Sequence, residues 1–130
     1  VSIIDHFCPA AEVARLMASS DALLHAGDQE TFGLVILEAM ASGIPVVAVA
    51  AGAFSETVAA GCGLLCQPND AAAMAATVRE LFSADTSVIG QHARLHVEQH
   101  YSWDSVVSGL LAHYQAVLGG AQQPLRAAHG

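Results

Sequence analysis

The sequence predicts an α/β fold, a parallel sheet covered by helices, and three observations carry that prediction. Apolar residues make up 54% of the 130-residue chain and charged residues only 12%, so its elements are buried on more than one face. Short apolar runs alternate with segments of helical period through short connections, the pattern of parallel strands joined by right-handed crossovers. One run, Val46-Val47-Ala48-Val49, is continuous and mostly β-branched, as a central strand covered on both faces requires. The length suits a single core.

Taken in order, residues 1–5 read as a short strand, and Pro9 opens a helix in which Val13, Leu16 and Met17 recur at helical spacing. Residues 21–25 read as a second strand, broken by the polar stretch 26–30. A helix follows, capped by Thr31 or its neighbour, with Phe32, Ile36, Ala39 and Met40 along one face. Gly43 falls where a left-handed C-terminal cap is expected and Pro45 forbids continuation, so this helix stops near Ser42. Residues 46–49 form the third strand, 51–53 turn into a short helix over 54–60, and 63–66 form the fourth strand. Pro68-Asn69-Asp70 is a turn whose Asp70 caps an alanine-rich helix reaching Phe82. Two more helices span 87–99 and 102–118, and the tail from Gly119 is expected to fray.

Twelve acids stand against four arginines (Arg15, Arg79, Arg94, Arg126) and no lysine, a net charge of −8. That balance excludes nucleic-acid binding by phosphate neutralisation and leaves no basic patch for an anionic membrane. No run approaches the roughly 18–20 apolar residues of a membrane span, and no basic segment leads into an apolar one, so a cytoplasmic protein is expected. Because the chain starts inside a strand-like segment at Val1, it is expected to be cut from a longer protein. Cys8, Cys62 and Cys66 are odd in number and lie in apolar surroundings, which suits buried reduced thiols. His92, His96 and His100 recur at i, i+4 and i+8, read here as a partly exposed helix face, and Tyr101, Trp103 and Tyr114 are assigned to helix packing. His25 either lines a pocket at the sheet's ligand-facing edge or simply ends a strand.

The chemistry gathers around residues 27–38. Two acids, Glu30 and Glu38, bracket the start of a helix, and a helix N-terminus carries unpaired N–H groups and about half a positive charge. Gly33 offers no side chain to block close approach, so the geometry favours a phosphate. On a helical path the two carboxylates lie on the order of 12 Å apart along the axis, rotated by about 80°. That exceeds the roughly 5–9.5 Å of a hydrolytic carboxylate pair. It suits two acids that each accept hydroxyl hydrogen bonds at opposite ends of one long ligand, with phosphates between them. Asp28 with Glu30 lacks a third ligand at useful spacing, so no metal is expected.

Glu30-x7-Glu38 within ETFGLVILEAMASGIPVVA, followed by Gly52, Glu56 and Gly63-Leu64-Leu65, resembles the donor-binding signature of GT-B retaining glycosyltransferases of the family 4 type. The resemblance implies a Rossmann-like three-layer domain over residues 1–118, with 119–130 as a flexible tail. It also implies transfer of a hexose from a nucleoside diphosphate sugar to an acceptor hydroxyl with retention, and no metal or other cofactor. By the same resemblance Glu30 is the catalytic-site acid touching the transferred sugar. The backbone at Thr31, Phe32, Gly33 and Leu34 holds sugar and diphosphate, and Glu38 binds the ribose. Gly52 and Glu56 are further donor contacts, although Glu56 also suits a helix dipole.

The family's cationic residues for the diphosphate, and its N-terminal acceptor-binding domain, lie upstream of the segment matching Val1. The chain alone is therefore expected to be inactive and to bind donor weakly, and the missing domain could place the parent protein at a membrane periphery. If the strand order is 3-2-1-4-5-6, the chain holds strands 3 to 6 only. Residues 1–5 then either pair unusually, sit apart or pair with another chain, since the bare edge invites self-association. Two other readings remain: a non-catalytic remnant or interaction module keeping the fold, and a phosphorylase-type relative, against which the absence of lysine argues.

Overall fold

The computed structural model describes residues 3–120. Their elements run helix α1 (Ala10–Ala18), strand β1 (Leu23–His25), α2 (Leu34–Ala41), β2 (Val46–Val49), α3 (Phe54–Thr57), β3 (Gly63–Cys66), α4 (Ala71–Ser83), α5 (Thr86–His100) and α6 (Trp103–Gly120). The three strands pair in parallel in the order β1-β2-β3. Leu23 stands opposite Val46, Val46 opposite Gly63, and Val49 opposite Cys66. Every residue of β2 is buried, as its unbroken apolar run demands of a strand paired on both edges and covered on both faces.

The core joins Ile36, Ala39 and Met40 of α2 to β2, Phe54 and Ala93, all fully or nearly fully buried. Helix α4 packs on β2 and β3, while α2 and α5 pack on each other and on the sheet. Asp70 caps α4 by accepting the Ala73 N–H at 2.8 Å. Asp85 caps α5 through the N–H groups of Ser87 and Val88. Both caps satisfy amides that a helix start leaves free.

Several expectations are corrected. Residues 3–5 form no strand, so three strands are present among the described residues, not four; Val1 and Ser2 lie outside them. A strand needs a neighbour to pair its backbone, and none lies beside this segment, where Ile3 is 84% exposed. The segment sits apart from the sheet, one of the three outcomes expected of it. Helix α2 begins at Leu34, not near Thr31, because its N-cap Gly33 takes a left-handed conformation at φ 78°. Thr31 therefore caps nothing, and Phe32 lies outside the helix and exposed, not on its buried face.

The short helix α3 ends at Thr57 instead of reaching residue 60, because Val58 leaves helical geometry with ψ 87°. Helix α6 continues through Gly119 to Gly120; residues 121–130 of the expected tail lie outside the described residues. Trp103 and Tyr114, assigned to packing, are instead 83% and 55% exposed. Among the described residues α5 is the main neighbour of α6, and the far side of α6 meets nothing.

Candidate functional site at the carboxyl edge of the sheet

Parallel strands deliver their following loops to one edge, and here those loops are 26–33, 50–53 and 67–70. They are tied together. Asn69 donates its side-chain N–H to Asp28 Oδ2 at 3.2 Å, and Ala50 N–H donates to the Cys66 carbonyl at 2.8 Å. The Glu30 carbonyl accepts the Ala53 N–H at 3.3 Å. Gly52 lies so close that a Cβ there would stand 2.6 Å from that same carbonyl oxygen, so the loop after β2 fixes the loop after β1 only while residue 52 has no side chain.

Glu30 is half-buried, and its Oε1 accepts the Gly33 N–H at 3.4 Å. This bond closes a turn immediately before α2, and no side chain caps the helix. The first amides of α2 thus face the loop that Glu30 occupies, with the positive end of the helix dipole behind them. Gly33 is buried against Phe54: a Cβ would meet the ring at 2.9 Å. The same ring takes the edge of His25, centroid to centroid 4.8 Å. His25 Nδ1 is buried without a hydrogen-bond partner among the described residues. A buried polar atom left unpaired is costly, and this one sits beside Phe54, the ring that also packs on the Gly33 turn.

The second acid stands elsewhere. Glu38 is the fifth residue of α2, and its exposed side chain lines a groove of about 620 Å³ between α1 and α2 with Phe7, Cys8, Val13, Met17 and Ser42. Glu30 is not among the groove's walls. The residues between the acids turn at Gly33 before becoming helical, so the 12 Å spacing of an uninterrupted helix does not apply, and Glu30 does not share this groove with Glu38. A smaller cleft of about 290 Å³ lies at the strand ends between Val49, Asn69, Asp70 and Met74.

Of the other sequence candidates, Thr31, Phe32 and Leu34 are exposed beside the turn, and Glu56 is exposed on α3. The groove wall contributed by Phe7, Cys8 and α1 was not visible in the sequence motif, because it comes from a separate stretch of chain. Burial raises the Cys62 thiol pKa. His96 is lowered by burial and then by the neighbouring His100, whose ring lies 4.6 Å away. Cys62 and Cys66 are buried as expected, whereas Cys8 is half-exposed.

The family model described as glycosyl transferases group 1 matches residues 3–99. The chain belongs to this family. Glycogen synthase from Mycobacterium tuberculosis is 33% identical over 95% of this chain and 30% of the relative. GDP-mannose-dependent alpha-mannosyltransferase from Mycolicibacterium smegmatis is 40% identical over 91% of this chain and 31% of the relative. In structure, Anabaena Alr3699/HepE in complex with UDP superposes with a TM-score of 0.73 at 29% identity, over 82% of this chain and 30% of that one. The chain thus spans about 30% of the length of these curated relatives. The Rossmann-like α/β fold and the resemblance to GT-B glycosyltransferases both hold for this group 1 domain.

Proposed function

We propose that this group 1 domain is the donor-substrate-binding half of a retaining glycosyltransferase, one that transfers a hexose from a nucleoside diphosphate sugar to an acceptor hydroxyl. The observation that carries the reading is the turn at Glu30, Gly33 and Gly52, which sets a carboxylate beside uncapped helix amides at the ligand edge of the sheet. The amides at Phe32, Gly33 and Leu34 and the start of α2 take the diphosphate. Glu30 accepts hydrogen bonds from hydroxyls of the transferred sugar, and Gly52 and Glu56 complete that side.

Glu38 takes the ribose. Its carboxylate stands among the apolar walls Phe7, Val13 and Met17, an environment suited to a nucleoside, which pairs a diol with a flat apolar base. A donor lying across the N-terminus of α2 reaches from the groove to the Glu30 turn, so the two acids serve one ligand without sharing one cavity. This chemistry calls on positioned hydrogen-bond donors to stabilise the leaving diphosphate, and no cofactor or metal enters it. That Anabaena Alr3699/HepE is described in complex with UDP and with UDP-glucose supports the donor class.

Calorimetric titration of the intact parent protein, which also carries the upstream segment, with UDP, GDP and ADP tests the proposal. Saturable binding to at least one, weakened about tenfold or more by Glu38→Ala, is expected; tenfold is about 1.4 kcal/mol, an ordinary hydrogen-bonded contact. Absence of saturable binding to any of the three would instead favour a non-catalytic module that keeps the fold. Equal affinity for the Glu38→Ala variant would remove the ribose from Glu38.

A further inference from the structure

His6, Cys8 and Glu12 each point one ligand atom into a common space, with all three atoms within 4.8 Å of one another. This is the one such grouping of three among the described residues. We infer that it is a binding site for a thiophilic divalent cation of the Zn²⁺ type, separate from the Glu30 turn. Imidazole, thiolate and carboxylate are the donors that Zn²⁺ accepts in tetrahedral geometry, and a set containing a thiolate disfavours Mg²⁺ and Ca²⁺, which take oxygen.

The chain prepares this arrangement locally. Pro9 fixes its own φ at −60° as N-cap of α1 and holds Cys8 extended. The Glu12 N–H donates to the Pro9 carbonyl at 2.8 Å, so Cys8 and Glu12 are set on either side of one closed turn. His6 joins them from two residues upstream, and closing so short a loop costs little entropy. Its Nδ1 lies 3.7 Å from the exposed Asp5 Oδ1, a nearby negative charge that favours a cation at this end of the chain.

Bond lengths of 2.0–2.3 Å place neighbouring tetrahedral ligands roughly 3.4–3.7 Å apart. The present spacing closes to that by about 1 Å of side-chain rotation, which exposed His6 can supply. Cys8 binds as thiolate and releases its proton to solvent. Three protein ligands leave a fourth position for water. Because Cys8 also lines the groove that holds Glu38, the ion stands at the groove's rim.

Titration of the protein with Co²⁺ tests the site by optical absorption, independently of any sugar donor. One equivalent is expected to produce a near-ultraviolet thiolate-to-cobalt charge-transfer band that Zn²⁺ then abolishes by displacement. Cys8→Ser should remove the band, while His6→Ala and Glu12→Gln should each weaken Co²⁺ binding at least tenfold. Circular dichroism of each variant confirms that the fold persists, which is expected because Cys8 and His6 lie outside the core. No charge-transfer band, or one unchanged by Cys8→Ser and hence owed to Cys62 or Cys66, overturns the assignment.

Discussion

Gly33 does two jobs that no other residue type can share. Its φ of 78° turns the chain into α2, and its missing side chain lets Phe54 pack against the turn. Gly33→Ala is therefore expected to destabilise the protein by about 1–3 kcal/mol, the combined effect of left-handed strain and displacement of a buried ring. A urea titration checks this: the midpoint should fall with the slope unchanged, and an unaltered midpoint would show that the turn relaxes freely. The sequence disclosed that a glycine was needed near the helix start but not which conformation it takes. That depends on Phe54, twenty-one positions away in the chain, and local pattern carries no record of such a contact. The same limit applies to the contact of His25 with Phe54 and to the groove wall at Phe7, which form only once distant segments meet.

Among the elements, those governed by local rules were legible and those governed by partners were not. The end of α2 could be read because Gly43 and Pro45 act on their own stretch of backbone, and the start of α4 because Asp70 caps its own first turn. Residues 1–5 have the apolar pattern of a strand yet form none in the described part, since strand formation requires an adjacent edge. The contact between α2 and α5 offers a test of sign. In an exposed helix, Gly→Ala stabilises by up to about 1 kcal/mol, but a Cβ at Gly90 of α5 would run into the Gly43 carbonyl at the end of α2. Gly90→Ala is expected to cost about 1–3 kcal/mol by forcing the helices apart. At Gly109 of α6 a Cβ meets nothing, so Gly109→Ala should stabilise. Thermal unfolding of the two variants reads the difference, and shifts in the same direction would contradict the packing described.

At the scale of the whole molecule, two properties oppose each other. Trp103, Val106, Val107, Leu110, Leu111, Tyr114, Val117 and Leu118 recur along one side of α6 at helical spacing and all remain exposed, and β1 pairs on one edge only among the described residues. Apolar surface of this extent favours association, whereas a net charge of −8 keeps copies apart. Between the two apolar features the helix stripe dominates, because it exposes eight large side chains while the open strand has three residues. The protein is therefore expected to self-associate weakly, and more strongly as salt screens its charge within roughly 10 Å at 0.1 M ionic strength. An association built on ion pairs would weaken under the same change. Sedimentation velocity across a concentration and salt series distinguishes them. The double variant Leu110→Gln/Leu111→Gln, which leaves charge and helix propensity almost unaltered, should return the protein toward monomer at every salt concentration. A sedimentation coefficient independent of protein concentration and of salt would mean that the exposed face of α6 does not drive contact between copies.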